Sequence, residues 1–215
     1  MALLEQLQSV AWERAAACGL GAYILGCFST GYYLVRARTG RDIRQVDSGA
    51  TGARNVSRVL GAPGFFLTVL GDFGKGALAV WATRRWCDNE FAVGLALLAV
   101  LMGHIWPVQL RFRGGKGVAT SLGGLLVFDW RIAVSYAVIF ALLFLVTRRT
   151  ILPGLFAYFC LPFVDYGFDH DPVKTSLVAI MSALVLLAHR ANFVEEIPAL
   201  AARRHVAANP EKPKL

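Results

Sequence analysis

Two polar stretches interrupt an otherwise apolar chain, and both carry the ingredients of an anion site. DSGATGARNVSR runs from Asp47 to Arg58, and RFRGGKG runs from Arg111 to Gly117. The second sets three cations and three glycines in seven residues. Small residues permit positive φ and let backbone N–H groups converge on an anion. Arginine adds a forked set of donors and lysine a compact charge. Arg54 and Arg58 stand four apart, on one face of any helix formed there. Either stretch also reads as an ordinary basic loop. RFRGGKG is not the G-x-x-x-x-G-K-[ST] nucleotide loop, because Leu110 stands where its first glycine belongs and Gly117 follows Lys116. The physical reading that survives is a glycine-rich turn opening onto a helix N-terminus, where free N–H groups and the helix dipole favour a phosphate.

Four more polar residues need explaining. Asp72 and Lys75 lie inside an apolar run, VLGDFGKGALAV. An ionisable group at membrane depth costs roughly 2.5–3.5 kcal/mol. Their spacing allows a mutual ion pair, and Lys75 is equally suited to hold an anion in a cavity. His104 in GHIWP and His189 in AHRAN each end an apolar run, as helix caps or as catalytic groups. Neither an H-x-x-x-x-D acyltransferase dyad nor a G-x-S-x-G elbow occurs. The four cysteines (Cys18, Cys27, Cys87, Cys160) lack metal-site spacing and read as small buried hydrophobes. No metal or cofactor is expected.

The elements that position these groups follow from composition. Of 215 residues, 56% are hydrophobic and 17% charged, with a mean hydropathy of +0.54. A soluble domain carries about 45–50% apolar and about 25% charged residues. The apolar excess is blocked into seven runs: Ala15–Val35, Pro63–Ala82, Phe91–Leu110, Gly117–Phe128, Ile132–Thr147, Ile151–Val164 and Thr175–Ala188. The expectation is an all-α membrane protein, a polytopic bundle of seven transmembrane helices, with the fourth and sixth short. Glu5, Glu13 and Arg14 precede a first run long enough to span, so it is expected to be a retained anchor. Without internal repeats or low-complexity linkers, residues 1–215 read as one domain. Alternating loops place sixteen cations on one side and five on the other. The positive-inside bias then puts the N-terminus outside and the C-terminus in the cytoplasm. It also explains the net charge of +8 without nucleic acid. RFRGGKG, the 36–62 loop and the His189–Asn192 segment fall together on the cytoplasmic side.

Taken together, these motifs resemble the bacterial acyl-phosphate:glycerol-3-phosphate acyltransferases, the PlsY family, from about Tyr23 to about Asn192. Its members carry motifs like GSGNxGATNVLR, LDxxKG, GHxxPxxLxFKGGKGVAT and HRxNIxRLxxGxE. Here these read DSGATGARNVSR, GDFGKG, GHIWPVQLRFRGGKGVAT and HRANFVEEIPALA. The match from Gly103 to Thr120 is nearly complete. Asp47 replaces Gly, Ala50 replaces Asn and Arg54 replaces Thr, while Glu195 and Ala201 depart in the last motif. The resemblance implies a small seven-helix membrane enzyme that transfers a fatty acyl group from acyl-phosphate to glycerol 3-phosphate. It implies catalytic roles for Ser48, Asn55, Arg58, Lys75, His189 and Asn192. Substrate binding would fall to Gly49, Gly52, Arg54, His104, Arg113, Gly114, Gly115, Lys116, Gly117 and Thr120. The expected partners are acyl-phosphate, glycerol 3-phosphate and the lipid bilayer. The expected setting is a monomer in the bacterial inner membrane with its site facing the cytoplasm. His189 and the substrate's own phosphate oxygen are both candidates for the base.

Overall fold

The computed structural model describes residue 4, residues 7–192 and residue 194. Among these the only regular elements are helices: α1 (Trp12–Cys27), α2 (Thr30–Thr39), α3 (Ala53–Trp86), α4 (Glu90–Ile105), α5 (Val118–Phe128), α6 (Trp130–Thr147), α7 (Ile151–Asp169) and α8 (Pro172–Ala188). Single 3₁₀ turns at Ile43–Gln45 and Val108–Leu110 punctuate the loops. Five stretches are long and apolar enough to cross a membrane: Trp12–Thr39, Ala53–Trp86, Glu90–Leu110, Trp130–Thr147 and Ile151–Asp169. Val118–Phe128 and Pro172–Ala188 are shorter apolar helices. Together they make a multi-pass membrane bundle.

The apolar pattern predicts one helix over Ala15–Val35, but the chain breaks at Phe28 and Ser29. A break at membrane depth frees carbonyls that lipid cannot satisfy. Here other parts of the fold supply the donors. Lys75 Nζ donates to Gly26 O at 2.9 Å and Phe28 O at 2.6 Å, and Gln109 Nε2 donates to Cys27 O at 2.5 Å. The second run, expected over Pro63–Ala82, extends back to Ala53 and is kinked at Gly61, whose φ of 64° and ψ of −160° are non-helical. Pro63 follows the kink at a position where a helix start tolerates it. The sixth run is not short. It continues from Val164 to Asp169 because Asp165 finds Thr175 Oγ1 at 2.7 Å and Lys174 Nζ at 3.4 Å on α8.

α4 is the central helix. Val93, Leu97, Val100 and Leu101 are fully buried. In lipid, van der Waals packing rather than the hydrophobic effect holds helices together, so small residues that let backbones touch matter most. A Cβ at Gly26 would lie 2.2 Å from Val100 O, and one at Gly103 would lie 2.2 Å from Tyr23 O. These contacts clamp α1 to α4. On the other flank a Cβ at Gly76 would meet Thr120 O at 2.0 Å, and one at Gly123 would meet Phe73 O at 2.0 Å, clamping α3 to α5. α6 lies outermost and exposes Val134, Val138, Leu142, Leu145 and Val146. α2 continues the direction of α1 and the later helices alternate, so α2, the start of α3, the ends of α4 and α8 and the start of α5 gather at one end of the bundle.

Candidate active site

Three separate segments meet at that end. Thr51 N–H donates to Gly114 O at 3.2 Å, and Arg44 Nη1 donates to Leu110 O at 2.7 Å, tying the first motif to the glycine loop. Lys116 Nζ donates to Asn192 Oδ1, tying the glycine loop to the end of α8. The three motifs are thus one loop cluster.

Each segment has a physical reason for its shape. Asn55, 2% exposed, donates through Nδ2 to Ile43 O, Val46 O and Ala50 O at 2.9–3.1 Å. It gathers the loop ahead of α3 into a compact turn, with Gly49 at φ 66°. Both amide N–H groups are consumed there, so Asn55 builds the scaffold through its donors. Gly52 is the N-cap of α3, and Arg54 and Arg58 project from its first turns as exposed groups. Arg58 pairs with Asp47. Among the described residues Arg54 and Arg113 have no ion pair. Ser48 is exposed beside Asp47.

The glycine loop differs from the expected cradle in one respect. Gly114 N–H donates to Ile105 O at 3.1 Å and Gly115 N–H to His104 O at 3.0 Å. Those two amides are therefore closed to an anion. The glycines are there because the loop folds flat against the end of α4: a Cβ at Gly114 would lie 2.1 Å from His104 O, and one at Gly115 would lie 2.1 Å from His104 Nε2. The open donors belong to α5. Its N-cap is Gly117, at φ 89°, which has no side chain to cap the helix. The N–H groups of Val118, Ala119 and Thr120 have no partner within the helix. Ser121 and Tyr158 fix where that helix begins. Ser121 Oγ bonds Gly117 O at 2.8 Å, the two hydroxyls lie 2.6 Å apart, and Tyr158 OH donates to Val118 O at 3.2 Å.

Lys75 and His104 are placed below the loop rather than in it. Lys75 is 5% exposed; besides its two carbonyls it lies 3.1 Å from Asp72 Oδ1. An ammonium has three donors, and three oxygens already surround this one. That geometry departs from a phosphate-holding role: the group satisfies the broken end of α1. His104 is buried, with Nδ1 3.7 Å from the same Asp72 oxygen. It supports the glycine loop through its carbonyl and ring face. Thr120 is fully buried, at the contact with Gly76.

His189 caps α8 and is 9% exposed. Its Nδ1 lies 2.8 Å from Val185 O. A carbonyl only accepts, so in the neutral ring Nδ1 carries the proton and Nε2 is left as an acceptor. Burial holds this imidazole below its ordinary value, and the Lys116 cation adds to that effect. Asn192 N–H donates to His189 O at 2.8 Å, which sets Asn192 beside Lys116. Glu195 and Ala201 lie outside the described residues. Arg44 and Gln109 are structural members that the motifs did not single out; only their side-chain contacts show what they do.

At the other end of the bundle the fold collects a group invisible in the sequence. Oxygens of Asp129, Asp165 and Asp169 lie within 4.8 Å of one another, a spacing that could hold a metal ion. Lys174 Nζ already sits among them, at 2.5 Å from Asp129 and Asp169 and 3.4 Å from Asp165. Arg131 pairs with Asp129 and Asp169 at 2.7 Å. The ammonium occupies the position an ion would take.

The fold and the loop cluster define a class: a helical membrane protein with a basic site at one end of its bundle. The model of a family described as glycerol-3-phosphate acyltransferase matches residues 16–197. The chain is 43% identical over 185 residues to glycerol-3-phosphate acyltransferase 1 of Desulfitobacterium hafniense (strain Y51), across 86% of this chain and 92% of that one. It is 38% identical over 171 residues to glycerol-3-phosphate acyltransferase 1 of Bacillus cereus (strain ATCC 10987 / NRS 248), across 80% and 94% of the two chains. Among solved structures it is similar to PlsY (YgiH), an integral membrane glycerol 3-phosphate acyltransferase, in its glycerol 3-phosphate form. The TM-score is 0.79 at 28% identity, over 86% of this chain and 92% of that chain. The chain belongs to the glycerol-3-phosphate acyltransferase family.

Proposed function

We propose that the protein transfers a fatty acyl group from acyl-phosphate to the primary hydroxyl of glycerol 3-phosphate, forming 1-acyl-glycerol 3-phosphate for phospholipid synthesis. The observation that carries this reading is the joining of three motifs at one end of the bundle, through Thr51 to Gly114 and Lys116 to Asn192. Both substrates are phosphates, and two anion positions lie within this cluster. One is the open N-terminus of α5 with Lys116 and Arg113. The other is the start of α3 with Ser48, Arg54 and Arg58.

In the reaction the acceptor oxygen attacks the acyl carbonyl, a tetrahedral oxyanion forms, and inorganic phosphate leaves with the bonding electrons. Lys116 and the α5 amides stabilise the growing negative charge. His189 Nε2, the open acceptor, takes the hydroxyl proton. The acyl phosphate is already activated, so no enzyme nucleophile is needed, and holding the two phosphates side by side supplies much of the rate. Asn55, Lys75, His104 and Thr120 act by positioning. No metal or cofactor enters this scheme.

The bundle crosses the inner membrane seven times as a monomeric single domain, with the N-terminus outside and the site in the cytoplasm. Arg36, Arg38, Arg41, Arg148 and Arg149 lie at the loop-cluster end, as the positive-inside rule requires. Trp12, Trp81, Trp86 and Trp130 are exposed toward the other end, at the level of an interfacial aromatic belt.

Arg54 and the altered last motif depart from the family pattern, so the reading to be excluded is another small phosphorylated or amino acceptor. One assay separates the two: purified protein with palmitoyl-phosphate and labelled glycerol 3-phosphate, then other phosphorylated or amino acceptors. Acylated glycerol 3-phosphate is the expected product. Product with another acceptor but none with glycerol 3-phosphate would overturn the proposal.

A further inference from the structure

Far from the loop cluster, two of the four cysteines meet. Cys18 on α1 and Cys87 in the turn between α3 and α4 are 69 residues apart, yet their Sγ atoms lie 3.9 Å from each other. Among the described residues no other cysteine has a sulfur partner, and all four are free thiols. The pair sits in a small apolar cluster with Val10, Ala15 and Ala92, where the start of α1 packs on the start of α4. A disulfide needs its sulfurs about 2.05 Å apart. The remaining gap is small, and Cys87 lies outside any helix, on extended backbone with φ −124° and ψ 120° that can adjust.

We propose that Cys18 and Cys87 form a reversible disulfide, a modification site separate from the acyl-transfer site. A cavity of about 250 Å³ lined by Arg14, Trp86, Cys87 and Asn89 opens at this point and admits a small reagent. Cys18 is half-buried and Cys87 is buried. Burial raises the Cys87 thiol, and the neighbouring Cys18 sulfur raises it further. One thiolate of the pair attacks one sulfur of a low-molecular-weight disulfide and expels a thiolate. The other thiolate then attacks the cysteine sulfur of the mixed disulfide and expels the second. Two cysteine thiols lose two electrons and two protons, and the reagent gains them as two thiols. The bond ties α1 to the α3–α4 turn. That the pair meets an oxidising compartment rests on the proposed orientation, which puts this end outside the cytoplasm, where disulfides persist.

The test starts from purified full-length protein incubated with oxidised glutathione, then denatured, alkylated and digested for mass spectrometry. The expected result is loss of alkylation at Cys18 and Cys87 and a linked peptide lighter by two hydrogens, reversed by dithiothreitol. Cys27 and Cys160 stay alkylated, and neither Cys18→Ser nor Cys87→Ser yields a linked peptide. Four alkylated cysteines after oxidation, a glutathione adduct that never resolves, or a link through Cys27 or Cys160 overturns the proposal. The same digest from acid-quenched cells tests the orientation separately. A pair that links in vitro but is reduced in cells keeps the site and contradicts the outward placement.

Discussion

The two ends of the bundle both concentrate charge, and they treat it oppositely. At the Lys174 end, two cations and three carboxylates are neighbours, and Arg131 and Lys174 are both matched within the chain. At the loop end, Arg54 and Arg113 have no ion pair among the described residues, and the first amides of α5 are uncapped. A closed cluster holds helices in place. On the proposed function, an unbalanced one is left for a ligand that brings its own negative charge. Lys75 shows that the distinction is not one of residue type: it lies near the loop end but belongs with the paired groups.

The sharpest way to break this comparison is to treat a paired cation as though it were a ligand. Lys75→Met leaves Asp72 buried without its cation, and a broken buried pair costs on the order of 3–5 kcal/mol. The thermal midpoint in detergent should fall while the KM of the folded fraction stays unchanged. A normal midpoint with a raised KM would move Lys75 into the site. Lys116→Ala should do the reverse, lowering turnover about 10²–10³-fold with helix content intact by circular dichroism.

His189→Ala should cost about 10²-fold. The base must be unprotonated, and burial with Lys116 lowers its pKa. Activity should therefore fall only as pH drops below about 6.5, and this acid limb should vanish in the variant. An unchanged profile would assign the proton to the substrate's phosphate. Asp47→Asn should free Arg58 and lower the KM for glycerol 3-phosphate up to about five-fold, the scale of a half-exposed ion pair.

The smallest effect belongs to the closed end. Burial raises the Asp129 carboxyl, but hydrogen bonds from Arg131 and Lys174 outweigh it and hold it at about 2, against an ordinary value of 3.8. Its folded pKa is depressed, so its stabilisation is present above about pH 4. It is lost as pH falls toward about 2. Thermal midpoints across that range should show a smaller loss, complete at a higher pH, in Lys174→Met, with acyl transfer at neutral pH unaffected.

Much of this was legible beforehand because some constraints are local. Runs of apolar residues must become helices in lipid, since each N–H and C=O must bond within its own segment. The run from Gly103 to Thr120 located the loop cluster, and charge bias placed RFRGGKG, the 36–62 loop and HRAN on one side. The break at Phe28 was not legible, because what permits it is Lys75 and Gln109, 47 and 82 residues away from their acceptors. Nor was the role of the glycines at 114 and 115. Composition suggested amides open to phosphate, whereas contact with His104 requires the absence of a side chain there.

The sequence by itself determined a membrane bundle, its approximate helices, its family resemblance and the residue types at its site, all of which depend on neighbours along the chain. Tertiary structure alone decided which polar groups are already satisfied. Asn55 has its donors filled by carbonyls, Lys75 by two carbonyls and the Asp72 carboxylate, Lys174 lies among three aspartates, and the first turn of α5 remains open. Satisfaction depends on donors and acceptors brought within about 3 Å from distant parts of the chain. Residue type offers the hydrogen bond, and the fold decides whether the chain or a substrate accepts it.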